Sequence, residues 1–292
     1  MKVLICLFVS LLSATAVNSQ LLDLLRIEYT NALGDDSNFD FQRKRFLFNY
    51  PVPTGRTGYL FLGLDYSAID LDLHDEVSGF DKTRTDDFRL LDFNLTYTSL
   101  INDDWRFAAR FVPGFSSNLE GTGLLFEDVF FSGAVVFIKD KKESSDVLKP
   151  FRIIMGLAYS GNSGIVFPIP FLSFYKKFHP KWSYNVGVPV TNLQFHATEL
   201  FRIKLFGRLD GFNSNLQDGI MVNVTESANR IRMSLVLAGF RYEYKLAERI
   251  ELYLNTTRSL TGRLQLRNGR DNILRLDRAN VFHYNGGIRV KI

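Results

Sequence analysis

Nine charged residues fall at alternating positions within a few short segments. They are Arg106 and Arg110, then Arg202, Lys204 and Arg208, then Arg241, Glu243 and Lys245, and finally Arg289. Each sits on the polar face of a segment whose other face is apolar, and Asp92, Asp210 and Lys291 share that polar face. Side chains two apart on a strand point the same way, so strands would gather these charges on one surface. If that surface lines a closed barrel, two chemistries are open. A ring of basic groups favours anions in a pore. Alternatively, the charges pair across strands and fill a narrow lumen, because buried charges need partners. Spacing weighs the two equally.

Other chemistry finds little support. The four histidines, His74, His179, His196 and His283, form no metal-binding spacing, and the chain's one cysteine is Cys6. Ser163 lies in Gly-Asn-Ser-Gly, a glycine-rich turn rather than the elbow of a serine hydrolase. Phosphate-binding glycine motifs are absent from the sequence. The expectation is therefore no enzyme, no cofactor and no metal. The net charge of +4 is scattered rather than clustered, which argues against a nucleic-acid partner.

The elements that must position the charges are strands. Residues 88–116 show the pattern most plainly. Leu91, Phe93, Leu95 and Tyr97 alternate with Asp92, Asn94, Thr96 and Thr98. Asn102-Asp103-Asp104 forms a turn. Trp105, Phe107, Ala109 and Phe111 then alternate with Arg106, Ala108 and Arg110. Period-2 alternation gives each strand one apolar and one polar face. In a soluble sandwich the apolar face is the core; in a membrane barrel it faces lipid and the polar face lines the lumen.

The same alternation predicts strands over 24–33, 39–50, 57–69, 129–137, 151–159, 166–178, 182–186, 193–198, 201–209, 230–246, 249–258 and 281–292. With the hairpin this makes 14. The number falls to 12 if 188–192 is a bulge or the first strand does not pair. A break in phase near Arg43-Lys44 reads as a bulge. Pro51 to Gly55 reads as a turn, and 70–87, 212–228 and 259–280 read as long polar loops.

Residues 1–19 have the form of a signal peptide, with Lys2, an apolar run from Val3 to Leu12 and the small residues Ala14, Ala16 and Ser19. That predicts an exported chain whose residues 20–292 form one barrel domain without cysteine. With 27 Phe and 12 Tyr the chain is rich in aromatics, yet after the signal it has no apolar run of 18 residues. Connections alternate short and long, as in outer-membrane barrels with short periplasmic turns and long outer loops. Trp105 and Trp182 follow short turns and are candidates for a periplasmic aromatic girdle. The last strand ends on Ile292, in phase with its aromatics, and is the segment expected to engage the barrel-assembly machinery.

Four stretches, FNYPVP at 48–53, RFVPGFSSNL at 110–119, GLAYSGNSGIVFPIPFLSF at 156–174 and KWSYNVGVPV at 181–190, resemble a Bacteroidota family of outer-membrane β-barrels known as domain-of-unknown-function family 6268. The resemblance implies an outer-membrane barrel with no established activity and no catalytic residues to carry over. Alternation, export and loop asymmetry together predict a transmembrane antiparallel β-barrel in the outer membrane of a Gram-negative cell, in contact with its lipid. Its expected role is a porin-like channel for small polar or anionic solutes; a non-conducting barrel acting through its outer loops is the alternative.

Overall fold

The computed structural model describes residues 23–33, 39–73, 82–120, 123–141, 150–277 and 279–291. The expected signal peptide, His74 and Ile292 lie outside the described residues. The strands are β1 (Asp23–Leu33), β2 (Phe39–Thr54), β3 (Gly58–Leu73), β4 (Asp87–Leu100), β5 (Trp105–Ser117), β6 (Val129–Lys141), β7 (Phe151–Ser160) and β8 (Ile169–His179). They continue with β9 (Trp182–Val188), β10 (Val190–His196), β11 (Phe201–Met221), β12 (Ser227–Lys245), β13 (Ile250–Asn268), β14 (Asp271–Asp277) and β15 (Phe282–Lys291).

Each strand from β1 to β13 pairs antiparallel with the next, and β15 bridges β13 and β1. This closes a ring of 14 strands; β14 stands outside it as a hairpin on β13. Closure gives every strand of the ring a partner on both sides, as lipid requires. A tight turn at Pro189, with a cis Val188–Pro189 bond, joins antiparallel β9 and β10, and β1 is paired on both edges. Both routes to 12 strands are thereby closed.

The outward face is apolar and bare. Ile27 is 50% exposed, and Tyr29, Phe46, Phe48, Tyr50, Leu62, Tyr66, Phe93, Leu95, Tyr97, Phe111, Phe131, Phe137, Leu157, Leu172, Val186, Leu205, Phe240 and Leu254 are also exposed. A continuous apolar belt of this extent belongs in lipid. The fold is a transmembrane antiparallel β-barrel.

Toward the long-loop end, the polarity of the same strands inverts. On β3, Leu62 and Tyr66 point out while Asp65 and Ser67 point in; three residues later Asp70 and Asp72 are exposed while Ile69, Leu71 and Leu73 are buried. β2 switches likewise, from outward Phe46 and Phe48 to inward Phe39 and Phe41. No bulge lies at Arg43-Lys44, because the β2–β3 register runs unbroken from Phe39–Leu73 to Thr54–Gly58. The phase changes because the surroundings change: beyond the lipid, water is outside and an apolar core is inside. That core joins Phe39, Phe41, Ile69, Leu71 and Phe88 to Phe212, Leu216, Ile231, Met233, Leu264 and Leu266.

Three expected loops are therefore strand in part. Residues 212–228 hold the outer half of β11 and the first two residues of β12, residues 259–280 hold the outer half of β13 with β14, and β3 reaches Leu73. Pro51 to Thr54 also continue β2, opposite Phe61 to Gly58. The prolines fit because, among the described residues, β1 pairs no further than Phe48, so no described ladder on that edge of β2 needs their N–H donors.

The outer half of β11 does more than extend the wall. Asn213 N–H donates to the Asn162 carbonyl (2.8 Å), and the Asn213 amide donates to Gly161 O (2.8 Å). Asn215 and Gln217 donate to the two carboxylate oxygens of Asp128 at 2.7 and 2.6 Å. Arg84 donates to the carbonyls of Gln217 and Gly219, and Asn215 bridges to Ser117 on β5. These partners belong to the opposite arc of the ring, so residues 212–220 lie across the loop-side mouth and cap it. Their buried amides are matched with side chains, as buried polar groups demand.

The departure point is Gly211, at φ +142°, where a Cβ would strike the Met233 carbonyl and press on Gly164. Gly211→Ala is expected to loosen the cap by about 1–3 kcal/mol, the usual scale of backbone strain. Protease cleavage within 212–226, at unchanged barrel mobility on a gel, would register it.

Candidate functional site in the barrel lumen

Below the cap the inward faces bring the sequence-selected charges together at two levels. At the middle level, Arg45 grips Asp65 through two nitrogens at 2.5 and 2.8 Å. Asp210 receives Arg43 at 3.2 Å and Arg208 at 2.8 Å. Glu28 accepts from Tyr253 at 2.6 Å, with Arg43 3.8 Å away. Arg110 donates to Asn94 at 2.8 Å, and Asp92 accepts from Asn162 at 2.7 Å. Four arginines face four carboxylates.

At the turn-side level, Glu243 is 1% exposed and is approached by Lys204 (2.8 Å), Arg202 and Arg289 (2.9 Å each) and Arg241 (3.2 Å). Glu251 takes Arg202 at 2.5 Å, Lys291 at 2.6 Å and Arg289 at 2.8 Å. Arg241 also lies over the Tyr253 ring, 4.1 Å from its centroid. Three of the selected cations have no ion pair among the described residues: Arg106, Arg110 and Lys245.

Charge pairing thus fills the lumen beside β11, β12, β13, β15 and β1. The other side holds a cavity of about 540 Å³. Its lining runs from Thr98 and Ala108, near the 101–104 turn, to Asn162 and Gly211 under the cap. Arg43, Arg45 and Arg110 balance Asp65, Asp92 and Asp210 around it, and the rest mixes small or hydroxyl side chains such as Thr96, Ser132, Ala134 and Ser160 with apolar ones such as Phe61, Val136, Ile154 and Phe171. Arg110 is exposed to this space. A larger groove of about 920 Å³ lies mainly on the outward face between Tyr29, Phe46, Tyr66 and Tyr244, and it is almost wholly apolar.

Trp105 and Trp182 begin β5 and β9 at the turn end, on the outward face. Trp182 packs on Phe195 with ring centroids 4.8 Å apart, and Lys139 sits 5.7 Å from the Trp105 ring. In the turn beside Trp105, hydrogen bonds from Lys141 and Lys139 hold the Asp104 carboxyl down at about 2.

Alternation marked the inward residues but not their partners. Glu28 and Tyr253 are legible only as polar-face residues, and Arg43 reads as part of a bulge. Asn162, Asn215, Gln217 and Asp128 carried no sequence signal, because their partners lie dozens of residues away. His196 meets Ser183 at 2.9 Å in the lumen wall. Among the described residues no three metal-ligating side chains are grouped.

Among curated proteins, none matches the chain. Among solved structures, a NanC porin is 10% identical with a TM-score of 0.40, covering 92% of this chain and 100% of its own. A KdgM porin in complex with disordered oligogalacturonate is 7% identical with a TM-score of 0.39, over 91% and 99%. A TodX monoaromatic hydrocarbon channel mutant is 12% identical with a TM-score of 0.37, over 96% and 92%. The barrel rests on its own strand pairings rather than on these distant likenesses. The sequence itself is more specific. The family described as Domain of unknown function (DUF6268) matches residues 60–268, more than half of the chain and most of the stretches singled out above, and the chain belongs to that family.

Proposed function

We propose that the chain is a porin-like barrel of a Gram-negative outer membrane, with its short turns in the periplasm, and that it admits small polar solutes to a lumen gated by its own strand. The carrying observation is the 540 Å³ cavity running beneath the cap, with three arginines and three aspartates on its wall and Arg110 exposed to it and lacking an ion pair among the described residues. A lumen needed only for rigidity would be filled on this side too. Membrane lipid contacts the apolar belt, and β15, the last strand to close the ring, is the segment offered to the assembly machinery. No catalytic role is assigned.

A second reading has its own support. The cap seals the loop-side mouth with a packed apolar core, which suits a non-conducting barrel that presents the cap surface to partners. Planar-bilayer recording separates the two. The full chain is expected to insert with little stepwise conductance. Deleting residues 212–233, which joins the register neighbours Gly211 and Ser234, is expected to open steady conductance. If the deletion variant keeps the fast-migrating unboiled band of a closed barrel yet stays silent, the channel reading fails and the second stands.

A further inference from the structure

We propose that the turn-side end of the lumen, between β11 and β15, is a binding site for a small multivalent oxyanion. This deepens the porin-like reading, on which it rests for the route by which solute reaches the lumen. The middle level of the lumen is balanced, four arginines to four carboxylates. The turn-side level is not. Arg202, Lys204, Arg241, Arg289 and Lys291 converge on only Glu243 and Glu251, and Lys245, in register with Glu251, adds a sixth cation without an ion pair among the described residues.

Depth separates the two signs. The side chains of Glu243 and Glu251 are 1% and 7% exposed, whereas those of Arg202 and Lys291 are each 27% exposed. The carboxylates lie beneath, and Arg202 and Lys291 form the surface that an entering solute meets. Lys245 ends β12 at the same opening and makes no ion pair among the described residues. Across the lumen, Arg106 is likewise unpaired among the described residues, and its Nη1 is buried without a hydrogen-bond partner.

Cations held this close repel one another, and the confined walls weaken screening by water. Two carboxylates cannot neutralise six cations. An oxyanion with more than one charge relieves the excess while accepting hydrogen bonds from guanidinium and ammonium groups together. A neutral or zwitterionic solute has no such advantage here. The residue types therefore point to phosphate-like or polycarboxylate groups as the class retained at this end.

The test is calorimetric titration of the purified full chain in detergent with inorganic pyrophosphate at fixed ionic strength. Saturable binding is expected. Lys245→Gln with Lys291→Gln should weaken it at least about tenfold, the scale of losing two charge-assisted contacts. Arg263→Gln, on the exposed cap hairpin, should leave it unchanged. Lys245→Gln alone removes no ion pair seen among the described residues, so it keeps the test valid if the double variant fails to fold. Absence of saturable binding, or equal binding by the folded lysine variants, would overturn the site. Conductance of the cap-deleted barrel is read separately. Lost binding with retained conductance sinks the site alone, and retained binding without conductance sinks the transport reading alone.

Discussion

Phe212→Ala is expected to release the cap while leaving the barrel standing. Phe212 is 1% exposed, with its ring centroid 6.2 Å from that of Phe41 and 5.5 Å from that of Phe88. It is the first apolar residue after β11 leaves the wall, and it ties the crossing segment to β2 and β4. Truncating a buried phenylalanine costs about 3–5 kcal/mol. The lipid-spanning ring shares only the lower edge of that core, at Leu237, so most of the loss falls on the cap as a locally unfolding unit. Chymotrypsin should then cut within 212–226, and the unboiled protein should still migrate fast. Stepwise conductance should appear without any deletion. Disappearance of the fast band would instead make Phe212 a support of the whole barrel, contradicting the separation of the two layers.

Glu243→Gln is expected to strike the other layer. The substitution keeps shape and removes the charge on which Arg202, Lys204, Arg241 and Arg289 converge. Removing one partner from a buried ion pair costs about 3–5 kcal/mol, because the remaining charges are left uncompensated. With a urea m-value of about 1–3 kcal/mol per molar, the unfolding midpoint should fall by at least about 1 M. Adding Lys204→Gln should recover part of the loss, since the two positions are coupled through one contact. A midpoint unchanged by Glu243→Gln would mean that water, rather than the carboxylate, neutralises these cations.

The two layers also explain what the sequence made legible. Alternation sufficed wherever lipid lay outside, as in the run from Leu91 to Tyr97. It placed Arg202, Lys204, Arg241 and Arg289 on one surface before any contact was known. It misled where the surroundings changed along a strand. Asp70 and Asp72 resemble loop residues beside a membrane strand, yet Leu71 and Leu73 between them are core. Phe41 and Phe46 differ in phase by one residue, which imitates a bulge. Asn213, Asn215 and Gln217 read as polar loop because nothing local shows that Asp128 and Asn162 await them. Pairing across the mouth depends on closure of the ring, and closure is not a property of any one segment.

The place where the strands change polarity also fixes how thick a bilayer the barrel fits. On β12 the outward apolar run extends from Val236 to Tyr244 and gives way to Ser234 and Arg232 beyond. At about 3.4 Å per residue and a tilt of about 40°, that run spans about 20 Å along the membrane normal. An average hydrocarbon core is about 30 Å thick. Such a mismatch is met by thinning of the surrounding lipid, at a cost for every ångström. The barrel is therefore matched to thin membranes, and in a thicker one it would pull the two leaflets together around itself.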